Sequence, residues 1–118
     1  MKRNVMVAVV LGVLFLMVDV ASAYRHTITN HKDIEVEVKI CLAAASDKTF
    51  RIGPNSTVCK DIGGYCTQTI KVWAVRSDGT LGDYLGETGD WNCCSQSVTI
   101  PPQNAGSLIN SKYDCFIR

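Results

Sequence analysis

The number and spacing of the cysteines constrain this chain more than any other feature. Intervals of 17, 6, 26, 0 and 20 residues separate them. These intervals are too long for a peptide whose loops are held only by its bridges, and an even number of cysteines is typical of a disulfide framework formed in an oxidising compartment. We therefore predict disulfides that reinforce a hydrophobic core. The six residues are Cys41, Cys59, Cys66, Cys93, Cys94 and Cys115.

The adjacent cysteines, Cys93 and Cys94, could be structural bridges, metal ligands or a redox-active pair. A structural zinc site needs C-x2-4-C pairs or matching histidines, and a thioredoxin-like centre needs C-x-x-C; the sequence has neither. A bridge between chain neighbours would close a small, strained ring. We predict that each cysteine bonds elsewhere, and a redox-active pair remains the alternative.

One pairing is suggested by a turn. Cys59 and Cys66 flank Gly63-Gly64, which can take the positive φ angles of a hairpin turn, so these two cysteines are predicted to pair. Cys41 and Cys115 would then bond to the adjacent pair.

The N-terminus has the order of a secretory signal peptide. Lys2 and Arg3 precede fourteen uncharged, apolar residues, and Ala21-Ser22-Ala23 supplies a cleavage site. The apolar run is shorter than the roughly 20 residues that a membrane-spanning helix needs. We predict that residues 1–23 are removed, and that residues 24–118 form one secreted, extracellular domain without stable membrane insertion.

The charge of the predicted mature chain excludes several partners. Of twelve basic and eleven acidic residues, two and one respectively lie before residue 24, so ten of each remain. A neutral chain without a basic patch is not expected to bind nucleic acid or an anionic membrane surface.

Apolar and polar residues alternate along much of the mature chain. In residues 34–40, "IEVEVKI", the apolar side chains Ile34, Val36, Val38 and Ile40 are predicted to face the core. Similar short segments separated by turns predict a small β-sandwich of seven or eight strands, with a small β-barrel as the alternative. Apart from the strand at 34–40, the predicted strands are residues 24–30, 48–52, 56–62, 67–75, 97–100 and 112–118.

Catalytic motifs are absent from the sequence. His26 and His31 are separated by five residues, which places them on opposite faces of a strand, and we expect both at exposed or edge positions. Four carboxylates between Asp78 and Asp90 are close in sequence, but a glycosidase needs two at a fixed separation across a cleft. We expect no enzyme, no cofactor and no metal site.

Residues 77–92, "SDGTLGDYLGETGDWN", form the best candidate binding segment. Glycines and acidic residues surround two aromatic residues, Tyr84 and Trp91, and we predict a recognition loop in which Asp83 and Asp90 assist them. The alternative is that the glycines and aspartates only make turns while the aromatic rings cap the core. Carboxylates could also bind Ca²⁺, but the spacing of a calcium loop is missing.

Asn55-Ser56-Thr57 is an N-glycosylation sequon in a predicted turn. An acceptor asparagine in a turn should be exposed, so glycosylation at Asn55 is expected if the source is eukaryotic.

Two segments, "HTITN" at 26–30 and "IKVWAVRSDG" at 70–79, and the terminal cysteine resemble the plant self-incompatibility S-protein homologues. The resemblance implies a small secreted β-sandwich. The adjacent cysteines depart from that family's pattern, and the resemblance assigns no residue or function here.

Three functions are compatible with these features. The leading prediction is a secreted, non-enzymatic interaction module, a ligand, effector or toxin that binds an extracellular protein or cell surface through Tyr84 and Trp91. The second is a carbohydrate-binding domain that uses the same aromatic residues. The third is a protease inhibitor that presents residues 60–65 inside a Cys59–Cys66 bridge.

Overall fold

The computed structural model describes residues 24–89, 91–102 and 109–114. The predicted signal peptide, Asp90, Cys115 and the end of the last predicted strand lie outside these ranges. The described residues form eight β-strands and no helix: β1 (Tyr24–Asn30), β2 (Val36–Leu42), β3 (Lys48–Ile52), β4 (Ser56–Gly63), β5 (Thr67–Val75), β6 (Leu81–Glu87), β7 (Ser95–Ile100) and β8 (Asn110–Asp114).

The strands form two four-stranded sheets that pack as a sandwich. Sheet 1 has the order β4-β1-β7-β8, and sheet 2 has the order β3-β2-β5-β6. All neighbouring strands are antiparallel except β1 and β7, which are parallel. The predicted β-sandwich is therefore confirmed, and the barrel alternative is wrong because neither sheet closes on itself.

The core lies between the two sheets. In β2, Val36, Val38 and Ile40 are fully buried, and the intervening side chains are half-buried on the outer face. Ile34, which was predicted to face the core with them, precedes the strand and is only half-buried. The remaining members of the core cluster are Ile28, Leu42, Ile52, Ile62, Ile70, Val72, Val98 and Ile100.

Strand β6 was missed by the sequence analysis, which predicted a loop over residues 77–92. A hairpin turn follows β5, with Gly79 at φ 88°, and the chain then continues as an edge strand paired with β5. Glycines interrupt the alternating sequence pattern by which this strand could have been predicted. Gly86 has φ 140°, and a Cβ at Gly82 would lie 3.3 Å from the carbonyl oxygen of Ala74.

The Gly63-Gly64 segment is a crossing between sheets and not a hairpin turn. Gly63 does take a positive φ of 69°, but β4 belongs to sheet 1 and β5 belongs to sheet 2. The predicted Cys59–Cys66 bridge is wrong for this reason. Cys59 stays on sheet 1, whereas Cys66 has crossed to the other layer and is bonded to Cys93.

Asn30, at the end of β1, joins three segments of backbone. Its side chain is fully buried. The Nδ2 atom donates to the carbonyl oxygens of Ile34 at 2.8 Å and Gly53 at 3.0 Å, and Oδ1 accepts from the Lys32 amide at 3.0 Å. One amide group therefore fixes the exit from β1 against the turn between β3 and β4.

Replacing Asn30 with alanine is expected to lower the free energy of unfolding by about 2 kcal/mol, because buried carbonyl and amide groups lose their partners. Urea denaturation measures this change. The control is Thr29→Ala on the outer face of the same strand, which should cost less than about 1 kcal/mol. Equal losses in the two variants would contradict the assigned role of Asn30.

Candidate functional site

The outer face of sheet 2 carries the candidate site. Strand register places Arg51, Glu37, Trp73 and Tyr84 in one row across β3, β2, β5 and β6. The next row contains Thr49, Lys39, Lys71 and Glu87. Register partners in a sheet project from the same side, so these two rows form one continuous surface. We call it the sheet 2 outer face.

An aromatic pair lies at the β5–β6 side of this surface. The ring centroids of Trp73 and Tyr84 are 5.4 Å apart, and the ring planes are inclined by 56°. Tilted pairs at this distance are favoured by the ring quadrupoles. Trp73 is half-buried, whereas Tyr84 is 46% exposed. The pair therefore presents a fixed apolar surface to solvent.

The hydroxyl of Tyr84 is held by a neighbouring carboxylate. It donates to Oε1 of Glu87, three residues further along β6. Partial desolvation and the negative, hydrogen-bonded Glu87 raise the pKa of Tyr84 to about 12. The phenol consequently stays neutral across physiological pH, and the ring orientation is fixed by both Trp73 and Glu87.

Several charged side chains of the sheet 2 outer face form ion pairs. Arg51 lies 3.1 Å from a carboxylate oxygen of Glu37 and 3.8 Å from one of Glu35. The ammonium of Lys39 lies 3.6 Å from Asp47. These exposed pairs are worth little in stability, on the order of 0 to 1 kcal/mol each. Their effect is on the charge pattern of the surface, because they place opposite charges side by side.

The structure separates the residues predicted to bind together. Asp83 and Tyr84 are neighbouring residues of β6, so both belong to a strand and not to a loop. Asp83 is exposed. Trp91 is 64% exposed and lies in the connection between β6 and β7. Asp90 lies outside the described residues. The contact partner of Tyr84 is Trp73, which the sequence analysis did not single out.

Trp91 belongs to the corner formed by the Cys66–Cys93 disulfide. Thr67 and Asn92 form a two-way backbone bridge next to it, with N–O distances of 2.7 and 2.9 Å. Tyr65, the residue before Cys66, is 48% exposed. This corner thus carries two exposed aromatic side chains, Tyr65 and Trp91, close in sequence to one disulfide.

The remaining cysteines divide into bonded and free residues. Cys94 is also disulfide-bonded, and Cys93 is bonded to Cys66, so the adjacent cysteines bond to different partners as predicted. Within the described chain, Cys41 and Cys59 are free thiols, which contradicts the prediction that both are bridged. Cys41 projects from the sheet 2 outer face and Cys59 from the outside of sheet 1, where it lies 3.7 Å from the hydroxyl of Thr27.

His26 is fully buried, which contradicts its predicted exposure. It lies on the inner face of β1, beside Gln96 of β7, and its Nε2 is 2.7 Å from the hydroxyl of Thr67. Asn92 donates to the Gln96 side-chain oxygen at 2.6 Å. Within the described residues, Nδ1 of His26 and Nε2 of Gln96 make no hydrogen bond. His31 is exposed, as expected.

Burial controls the titration of His26. Desolvation lowers its pKa to about 4, against a smaller opposing effect of the Arg25 backbone. The imidazole is therefore neutral at physiological pH. Lys60, its register partner on β4, projects from the same side of sheet 1.

In the part of the chain that the structure describes, no group of three or more His, Cys, Asp or Glu side chains could hold a metal ion. Residues 24–89, 91–102 and 109–114 also contain no helix that could span a membrane. No known protein family, curated protein or solved structure matches this chain.

Proposed function

We propose that this protein is a secreted, non-enzymatic interaction module that binds an extracellular protein through the sheet 2 outer face. The observation that carries the proposal is the Trp73–Tyr84 pair. A half-exposed tyrosine is held against a tryptophan and a carboxylate on a rigid strand pair. Such preorganised aromatic residues lose little conformational entropy on binding and are frequent interface hot spots.

Several features support an extracellular location. The domain is small, all-β and contains a disulfide, which is typical of proteins from oxidising compartments. Asn55 of the sequon is exposed in a turn with φ 51°, a conformation that asparagine tolerates, so its side chain is accessible for glycosylation.

The structure bears differently on the two alternatives. A carbohydrate ligand would also use exposed aromatic rings, and it is the second outcome of the test below. The inhibitor hypothesis required a loop closed by Cys59 and Cys66, and this closure is absent because Cys66 is bonded to Cys93. No feature of the described residues favours the inhibitor.

Replacing Tyr84 with alanine is expected to weaken partner binding by at least about tenfold, because truncation removes a central aromatic contact. The tagged mature domain is first screened against the extracellular proteins of its source organism on a protein array and against a glycan array. The dissociation constant for the strongest interaction is then measured for each variant, together with the thermal unfolding midpoint.

The matched control is Tyr65→Ala. Tyr65 is 48% exposed against 46% for Tyr84, but it lies at the Cys66–Cys93 corner. Binding should be unchanged in this variant. Equal losses from Tyr65→Ala and Tyr84→Ala, or a loss only from Trp91→Ala, would overturn the assignment to the sheet 2 outer face. Binding to glycans alone would replace the protein partner with a carbohydrate.

A further inference from the structure

Strand β4 is the longest edge strand among the described residues. It lies at the end of sheet 1, where it pairs with β1 alone. The backbone N–H and C=O groups on its other side therefore have no strand partner in the described part of the chain. A free edge of this kind is a template for another extended strand.

The other three edge strands are protected in ways that β4 is not. β3 and β8 have 5 residues each, against 8 in β4. The pairing of β6 with β5 is interrupted by two register shifts. β4, in contrast, pairs with β1 without a shift from Ser56 to Asp61. Short strands and bulges are the usual devices that prevent pairing at an edge, and β4 has neither.

The side chains of β4 leave its edge open. Lys60 projects toward the inner side, and its ammonium lies 5.3 Å from the ring centroid of Phe50 on β3. This cation–π contact holds the charge beneath sheet 1 and not across the edge. On the outer face, Asp61 accepts a hydrogen bond from the Gly63 amide of its own chain at 2.9 Å.

An exposed thiol lies near the middle of this edge strand. Cys59 projects from the outside of sheet 1 and is free within the described chain. Cys41, the other free thiol, projects from the sheet 2 outer face, so the core separates the two and they cannot bond within one chain. A cysteine left unpaired in a disulfide-containing domain indicates pairing between molecules.

Two copies of β4 can pair antiparallel about a twofold axis perpendicular to the sheet. Opposed residues then project from the same face, so each register is centred on one residue. Centring on Cys59 or on Lys60 gives the longest overlaps, residues 56–62 and 57–63. Centring on Lys60 opposes like charges, which is unfavourable. Centring on Cys59 avoids this, because Lys60 is then opposite Val58 and Asp61 is opposite Thr57.

The register centred on Cys59 also brings the two thiols to bonding distance. Directly opposed residues of antiparallel strands have Cα atoms about 4.5 or 5.5 Å apart, depending on their hydrogen bonding. Both separations lie within the range of roughly 4.4 to 6.8 Å that disulfides span. The free edge and the free thiol therefore select the same arrangement independently.

We propose that this protein forms a covalent homodimer in which two copies pair edge to edge through β4 and are joined by a Cys59–Cys59 disulfide. The oxidant is a small-molecule or protein disulfide. One Cys59 thiolate attacks it and releases one thiol, and the second copy's Cys59 thiolate then displaces the other. Two Cys59 thiols are thus oxidised to a disulfide while the oxidant is reduced to two thiols.

The dimer goes beyond the proposed function and does not depend on it. Because the axis is perpendicular to the sheet, the sheet 2 outer faces of both copies point to the same side. The dimer thus presents two Trp73–Tyr84 pairs in one direction, which suits bivalent binding. The paired segment, residues 56–62, does not include Asn55, the predicted glycosylation site.

The test is made on the purified protein, equilibrated with reduced and oxidised glutathione, alkylated and run on a denaturing gel without reductant. Most chains should migrate as a dimer, and a peptide map should contain a Cys59–Cys59 fragment. Cys59→Ser should abolish the dimer, whereas Cys41→Ser, which removes the other free thiol, should retain it. A monomeric wild type, or loss of the dimer in Cys41→Ser, would overturn the proposal.

A second variant tests the register. Cys59→Ser/Asp61→Cys moves the thiol to another exposed position of the same face. In the proposed register the two moved thiols are four residues apart along the strands, about 13 Å, which exceeds the span of a disulfide. This variant should form at least about tenfold less dimer, and an equal yield would show unspecific oxidation and overturn the proposal.

Hydrogen exchange separates strand pairing from a mere tether. Amides of β4 that point away from β1 should exchange more slowly in the wild-type dimer than in Cys59→Ser, because pairing gives them acceptors. Equal exchange in the two proteins would contradict edge-to-edge pairing. The bridge closes no loop within either chain, so Cys59→Ser should keep the unfolding midpoint of a single domain.

Discussion

Replacing Cys66 and Cys93 together with serine is expected to lower the free energy of unfolding by about 3.5 kcal/mol. The two cysteines are separated by 27 residues, and the loop that they close contains all of β5 and β6. Without the bridge, the unfolded chain gains the conformational freedom that loop closure removes. The loss is large relative to the stability of a small domain, commonly about 5 to 15 kcal/mol.

Urea denaturation of the double variant measures this loss, and Cys59→Ser is its control. Cys59 is an exposed free thiol, so its replacement should change the free energy of unfolding by less than about 0.5 kcal/mol. A non-reducing peptide map should contain a Cys66–Cys93 fragment. A Cys59–Cys66 fragment, or a large loss in Cys59→Ser, would refute the pairing described above.

Acidification is expected to destabilise the protein by about 3 kcal/mol through His26 alone. The pKa of His26 is about 4 in the folded state and 6.5 in the unfolded chain. Between these values the unfolded state binds a proton that the folded state excludes. The contribution is therefore fully present above pH 6.5, falls as the pH falls, and is lost completely below about pH 4.

The measurement is the free energy of unfolding by urea between pH 7 and pH 4. His26→Gln should flatten the dependence in this range, because glutamine does not titrate. His31→Gln, a change at an exposed site, should retain it. The pKa of Asp78 is lowered from its ordinary value of 3.8 by the hydrogen bonds that its carboxylate accepts from the Thr80 side chain and backbone, so its stabilising contribution is present at neutral pH and is lost only as the pH falls through and below that value. An unchanged pH slope in His26→Gln would contradict the buried, neutral imidazole.

Hydrogen-bonded polar side chains connect His26 to the Cys66–Cys93 disulfide. His26 contacts Thr67, which follows Cys66, and Gln96 contacts Asn92, which precedes Cys93. Protonation of His26 would place an unpaired charge beside the disulfide corner. Trp91 also lies at this corner. In a Trp73→Phe variant it is the remaining tryptophan, so its fluorescence reports locally on the protonation of His26.

The alternation of apolar and polar residues was sufficient to predict most of the strands. The bounds of β1, β3 and β5 agree with the predicted segments, because alternating apolar residues identify a strand with one buried face. β6 was missed because Gly82 and Gly86 interrupt the alternation, while the residues that should indicate a strand, Tyr84 and Leu85, are divided between the outer face and the core. Glycine-rich edge strands resemble loops in sequence.

The candidate site was only partly predictable. Tyr84 was found because amphipathic aromatic residues in a glycine-rich, acidic segment are strong candidates for binding anchors. Trp73 was not, since a tryptophan in an apolar strand is indistinguishable in sequence from a core residue. The one signal for it was the period of two, which places Trp73 with Lys71 and opposite to Val72. The pairing of Trp73 with Tyr84 required the register of β5 and β6.

The sequence by itself determined the β class, the positions of most strands and most of their apolar residues, because the alternation of side chains is a property of neighbouring residues. Only the tertiary structure decided which sheet each strand joins. That choice separates Cys59 from Cys66, brings Cys66 to Cys93, buries His26 and places Trp73 against Tyr84. Strand order and register arise from contacts between distant segments, and no local pattern encodes them.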